Sequence, residues 1–176
     1  LATALIAQLD DPQAAVEDAT AILHEMPKRL EAAWLHRFAA KIGITTPREG
    51  DLDLIQRLLT LMQTDGADFT NTFRALGEGT ARDQFTDREA FDSWSRDHAD
   101  RIEAEPDPEA LMNRVNPAII PRNHRMEQMI EAAVAGDMAP FERLMKALET
   151  PYEASDPDLA RPPREDEIVP ATFCGT

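Results

Sequence analysis

Asp51-Leu52-Asp53-Leu54-Ile55-Gln56-Arg57-Leu58-Leu59-Thr60-Leu61-Met62 is the stretch on which the fold class turns. Leu54, Ile55, Leu58, Leu61 and Met62 stand at i, i+1, i+4, i+7 and i+8, the spacing that gathers apolar side chains on one face of a helix. The same period continues outward in both directions. Leu30, Trp34 and Phe38 recur every four residues, with Leu35 and Ile42 beside them. Phe69, Phe73 and Leu76 form a shorter stripe, and Phe91, Trp94, His98 and Ile102 another. Met126, Met129, Ile130 and Ala133 precede Phe141, Leu144, Met145 and Leu148. No alternating run rich in Val, Ile and Thr interrupts them, so no strand is expected. The reading is all-α, an irregular multi-helix bundle with an extended C-terminal tail.

Local chemistry sets the limits of these helices. Asp11 before Pro12, and Asp107 before Pro108, place a side-chain acceptor ahead of a proline at the first helical position. Thr86 with Glu89 reads as a capping box. Gly43, Gly77 and Gly136 are C-cap positions. Pro27 should break or kink a helix near Met26. Helices are therefore expected near 12–26, 28–42, 52–64, 68–76, 87–104, 108–114, 123–135 and 139–149, within a helical region spanning 1–150. Residues 151–176 differ in composition: Pro151, Pro157, Pro162, Pro163 and Pro170 alternate with acidic residues, against only Arg161 and Arg164. Such a segment buries too little apolar area to order itself alone, so it is a mobile tail or a strap laid on a neighbouring surface. Ile168, Val169 and Phe173 favour the strap.

Composition narrows the function classes. The 176 residues are 43% hydrophobic, and the net charge is −15. That balance argues against bulk attraction to nucleic acid or anionic lipid. No run of about 18 apolar residues exists to span a bilayer. Leu1 to Ala7 is apolar but short and reads as helix, not as a signal peptide. One cysteine excludes an internal disulfide framework and suits a reducing compartment. A chain opening on Leu1 instead of Met reads as the C-terminal piece of something longer.

Motifs for chemistry are absent. His24, His36, His98 and His124 are widely spaced, and His24-Glu25 has no second histidine at zincin spacing. His98 reads as a core histidine bonded to a neighbour, since a zinc site needs three or four converging ligands. Asp51 and Asp53 lack the glycine and closing glutamate of a calcium loop and read as a helix start. Gly77-Glu78-Gly79 is followed by no lysine, so there is no phosphate loop, and no Ser/His/Asp set has a local signature. No catalytic, cofactor-binding or metal residue is assigned.

Two places stand out instead. Asn116-Pro117-Ala118-Ile119-Ile120-Pro121-Arg122-Asn123-His124 is an extended segment between prolines that enters a helix, with Asn123 at the N-cap. It is either a buried connector or a contact to another domain through Asn116, Arg122 and Asn123. Arg122 either pairs with a carboxylate, caps carbonyls or binds a ligand. Cys174, the single cysteine, is an inert small residue, a metal ligand or a redox thiol. A metal site lacks neighbouring ligands in the sequence, and the other two readings stay open.

Several of these segments together resemble one family. Lys41-Ile42-Gly43-Ile44, Leu58-Leu59-Thr60-Leu61-Met62 and Asp68-Phe69-Thr70-Asn71-Thr72-Phe73-Arg74 come first. Asn116-Pro117, Arg122-Asn123, Ile130-Glu131-Ala132-Ala133, Gly136-Asp137, Pro151-Tyr152 and the near-terminal cysteine follow in order. This resembles the C-terminal half of the selenoprotein O family, called YdiU in bacteria, from about Ala32 onward. The resemblance implies a longer parent with a kinase-like (pseudokinase) fold. Such a parent transfers AMP from ATP, bound in a flipped orientation, to Ser, Thr or Tyr hydroxyls of protein substrates, with Mg or Mn. It implies that the catalytic and metal-binding motifs lie in an N-terminal, kinase-like half outside these residues, so that this chain alone is inactive. It implies a redox role for Cys174, paired with a cysteine in that half, although Phe173-Cys174-Gly175-Thr176 departs from the family's more usual serine-rich ending. The expected partners are the N-terminal half and the parent's protein substrates, without nucleic acid or membrane, in a bacterial cytoplasm. The alternative is an independent helical protein-interaction module with no enzymatic role.

Overall fold

The structure, a computed structural model, describes residues 11–171. Its chain divides into one compact unit ending at Phe38 and a second beginning at Ala39. Helix α1 (Pro12–Lys41) supplies the first unit, and its last turn, Ala39–Lys41, belongs to the second. As expected from the sequence, Asp11 caps it: the carboxylate accepts from the backbone N–H groups of Gln13 and Ala14, each at 3.1 Å. Pro27 does not end it, contrary to the two-helix expectation, because the helix runs on as one element. The residues from Thr20 to Trp34 are exposed. Water can therefore take the carbonyl that Pro27 leaves without an N–H donor. Trp34 and Phe38 stack at 4.3 Å between ring centroids.

The second unit holds α2 (Asp51–Asp65), α3 (Phe69–Gly77), a 3-10 turn (Ala81–Gln84), α4 (Arg88–Ile102), α5 (Pro108–Val115), α6 (Asn123–Val134) and α7 (Ala139–Glu149). A single helical turn, α8 (Pro157–Ala160), and a 3-10 turn (Glu165–Glu167) follow. The fold is all-helical, with no strand among the described residues.

The α2 face works as its spacing predicts. Leu54, Ile55, Leu58 and Met62 are buried, while Leu61 at the margin is half-buried. α2 packs on α4, and α3 on α5. From α4, Phe91, Trp94 and His98 enter the core, with Phe85 stacked on Phe91 at 4.7 Å. Trp94 finds a partner for its indole N–H in the carbonyl of Leu54, at 2.9 Å, so its burial leaves no donor unpaired. The cap of α4 is Asp87, whose carboxylate accepts from the N–H of Ala90; the Thr86 box does not form. Thr86 instead gives its backbone N–H to Asp65. Asp107 caps α5 as expected. Gly77 is the last residue of α3, not a left-handed cap, and its requirement is steric. A Cβ there would meet the Oδ1 of Asn113 at 2.5 Å, where α3 and α5 touch.

A second cluster joins the C-terminal elements. Ala118, Ile119, Leu144, Ala147 and Leu159 are buried together, with Met126, Met129 and Leu148 packed against them. Residues 151–171 lie over this cluster as a strap. The carbonyl of Pro151 accepts from both Ala118 N–H (2.8 Å) and Ile119 N–H (3.0 Å). Asp156 caps α8 and holds Arg143 through two bonds of 2.7 Å. No helix among the described residues is long and apolar enough to cross a membrane.

Candidate functional site

The connector between α5 and α6 is where the most distant segments of the second unit meet. Asn116 is fully buried. Its amide donates to the carbonyls of Lys41 (2.9 Å) and Phe73 (3.1 Å), and its Oδ1 accepts from Lys41 Nζ at 3.1 Å. One side chain thus ties the end of α1, the middle of α3 and the end of α5. Lys41 sits over the Phe73 ring at 5.2 Å, and burial lowers its ammonium pKa.

Arg122 does pair with a carboxylate. Its guanidinium donates to both oxygens of Asp68 (2.8 and 2.9 Å) and to Asn71 Oδ1 (3.0 Å). Asp68 is also the N-cap of α3, accepting from Asn71 N–H at 2.8 Å. Burial pushes the Asp68 carboxyl up, but the Arg122 hydrogen bonds, the Asn71 N–H and the Arg122 charge outweigh it and hold it below its ordinary value. Asn123 does not act as the cap. It is exposed and is the first residue of α6, whose N-cap is Arg122 with no side-chain cap bond. Asn116 and Arg122 therefore fasten the fold, and Asn123 does not share in it.

A neighbouring arginine does as much and has no local signal. Arg74 on α3 donates to the carbonyls of Asn113 (3.4 Å), Asn116 (3.5 Å) and Tyr152 (2.9 Å). It therefore links α5, the connector and the strap. Asp51, expected only as a first-turn acid, is 2% exposed and takes a two-pronged bond from Arg101 at 2.6 and 2.9 Å. Arg101 also reaches Glu105 at 3.0 Å. His98 is the satisfied core histidine its context suggested. Its Nε2–H donates to the carbonyl of Ile42 at 2.7 Å, and burial lowers its pKa.

His124 carries a feature with no local signal in the sequence. It is 3% exposed, and its Nε2 has no hydrogen-bond partner among the described residues. Burial, then the charge of Arg125, lowers its pKa below the ordinary imidazole value. It lies under the strap between two clefts. One, of about 530 Å³, is lined by Glu127, Glu131, Asp166 and Glu167 besides His124. The other, of about 320 Å³, opens beside Arg122 and Pro163. Glu167 lines both and is held by Arg161 (2.7 and 2.8 Å) and Arg164 (2.9 Å). The Arg161 bonds first, then the Arg164 backbone N–H, drive its pKa far below the carboxylate range.

The sequence model of the family described as protein adenylyltransferase SelO matches residues 2–149. The chain belongs to that family. It is 61% identical to the protein nucleotidyltransferase YdiU of Ruegeria sp. (strain TM1040), over 100% of this chain and 38% of the relative. The YdiU protein of Roseobacter denitrificans is 58% identical over 100% of this chain and 37% of its own length. That of Rhizobium etli (strain CIAT 652) is 44% identical over 95% and 36%. The chain thus spans well under half the length of these curated relatives.

The larger of the two clefts beside His124 does not suit a polyphosphate. The larger cleft presents carboxylates and no Lys or Arg, which repels a polyphosphate. The arginines at the smaller cleft and the strap are already paired with Asp68, Asp158 and Glu167. No group of three or more metal-ligating side chains occurs among the described residues. Cys174 lies outside the described residues.

Proposed function

We propose that this region is the helical C-terminal support of a longer protein adenylyltransferase that moves AMP from ATP, with Mg or Mn, onto protein hydroxyls in the bacterial cytoplasm. The chemistry belongs to the parent's remaining length, and this region braces it. The observation that carries the reading is the outer face of α1. Ile22 (63% exposed), Leu23 (48%), Met26 (39%), Leu30 (62%) and Trp34 (38%) share one helical face, on a chain that spans 37–38% of the length of its relatives in Ruegeria sp. (strain TM1040) and Roseobacter denitrificans. A run of that size left to water is the usual mark of a covered surface.

Two outcomes test it. The chain by itself should bind a hydrophobic dye and transfer no AMP from radiolabelled ATP to protein; clear labelling by the pure chain would place the active site here and sink the proposal. In the full-length protein, Leu23→Asp with Leu30→Asp should lower both thermal stability and AMP transfer. If neither moves, the α1 face braces nothing, and the independent interaction module becomes the better reading.

Cys174 enters the same proposal as a redox thiol whose partner lies in the rest of the parent. Full-length protein should then show an oxidised form of altered mobility on non-reducing gels, and Cys174→Ser should abolish it. Persistence of the shift in that variant would remove Cys174 from the switch.

A further inference from the structure

His124 is closed in with nothing to bond to. It is the second residue of α6, 3% exposed, and its Nε2 has neither solvent contact nor a hydrogen-bond partner among the described residues. What covers it is the strap: residues between Pro163 and Ala171 line both clefts at its ring. A neutral imidazole can leave one nitrogen there as a bare acceptor. A further proton turns that nitrogen into a charged donor, which costs far more to bury unpaired.

The charges around the ring offer it no free counter-ion. α6 brings Arg122, Arg125, Glu127 and Glu131, and the strap brings Arg161, Asp166 and Glu167. Glu127, Glu131 and Asp166 are exposed, so the solvent screens them. Asp68 and Asp158 are taken by Arg122 and Arg125. Glu167 is shared by Arg161 and Arg164. The first turn of a helix is also the positive end of its dipole, where a cation is unwelcome. Burial and then Arg125 lower the His124 pKa, in keeping with this layout.

The strap can lift as a unit. Its clamp of Arg161, Arg164 and Glu167 joins strap residues to one another and not to α6. The bond by which Glu167 crosses to α6, from Gln128 Nε2, is long at 3.3 Å. Glu167 is held far below the carboxylate range, so the clamp stays ionised while an imidazole titrates.

We propose that residues 161–170 form an acid-sensitive strap, lifted from α6 when His124 takes up a proton. With the strap raised, Nε2 reaches water and the imidazole regains its ordinary pKa, near ~6.5. The raised form then binds more protons than the closed one as pH falls below that value, so acid favours raising. Above it, His124 is neutral in both forms and closure is unaffected.

The test is hydrogen exchange in the full-length parent at about pH 7.5 and about pH 5.5, either side of the ordinary imidazole value. Wild type is compared with His124→Phe at each pH, which cancels the intrinsic effect of pH on exchange. His124→Gln takes its place if the Phe variant does not fold. The ratio of wild-type to variant exchange at the strap amides should rise severalfold in acid, to about tenfold at most, the ceiling for one pH unit below ~6.5. The same ratio in α2 and α4 should not move. A strap ratio constant within about twofold overturns the proposal, whether the strap stays closed in both proteins or opens in both. An equal rise in α2 and α4 reports loss of the whole fold and overturns it as well.

Discussion

Arg101→Met is expected to destabilise the second unit by about 3–5 kcal/mol, the range for breaking a buried ion pair from one side. The melting temperature should fall by roughly 10 °C for a chain of this size. Asp51 is 2% exposed, so it cannot turn to water when its partner leaves. Of the bonds described to it, only the Arg48 N–H, at 2.7 Å, remains. Burial raises the Asp51 carboxyl, and in the wild type the Arg101 bonds and the Arg48 N–H overcome that and leave it below its ordinary value. A carboxylate whose pKa is depressed by folding stabilises above its unfolded pKa, near ~4, and loses that stability as pH falls through the folded value. In the variant, burial is left without its main opponent, so Asp51 protonates at higher pH. The gap between wild type and variant should therefore be widest at neutral pH and narrow in acid. Urea unfolding at neutral and acid pH measures this. A loss under about 1 kcal/mol at pH 7 would put the pair in the class of exposed salt bridges and refute the account. Asp51→Leu with Arg101→Met should recover most of the loss, because an apolar replacement leaves no buried charge.

The second large effect is expected at Asn116. Asn116→Ala removes the donor for two carbonyls, those of Lys41 and Phe73, and the acceptor for Lys41 Nζ. Each buried polar group left without a partner costs about 1–3 kcal/mol, so a total of about 3 kcal/mol is the expected loss. Asn116→Asp separates the contributions. It keeps an acceptor for the Lys41 ammonium but offers no N–H to either carbonyl, so it too should be destabilising if the carbonyls matter. A wild-type unfolding curve for Asn116→Asp would show that the ammonium contact alone fastens the segment. Hydrogen exchange should report the loss first in α3 and the last turn of α1, where the partners sit.

The two cases show what the sequence discloses and what it cannot. The α2 face was legible because its period is local: Leu54, Ile55, Leu58 and Met62 are buried as spaced. Asp11 and Asp107 were legible as caps because their partners lie within three residues. The pairs that fasten the fold are remote, Arg101 with Asp51 across 50 positions and Arg122 with Asp68 across 54. No periodicity joins such positions, and a lone Arg beside a proline does not name its carboxylate. The stripe through Leu30 and Trp34 taught the opposite lesson. Its spacing specified a helix correctly, but spacing does not tell whether the apolar side meets protein or water. Pro27 does not divide its helix in two, because its cost depends on exposure: a freed carbonyl in water is tolerable where a buried one is not. At the connector, Asn116 and Arg122 were singled out by their setting between prolines, while Asn123 was misassigned because Arg122 takes the cap position. The unpaired Nε2 of His124 depends on what the strap lays over it, which no local pattern encodes.

The chain beyond Glu167 is also a leash of fixed length. Cys174 is seven positions beyond Glu167, and seven extended residues cover at most about 25 Å. A disulfide requires the two Cα atoms to approach within about 7 Å. Under the proposed redox role, any sulfur that joins Cys174 would therefore come from within about 30 Å of Glu167. The search for a partner cysteine is thereby reduced to a sphere centred on a described residue.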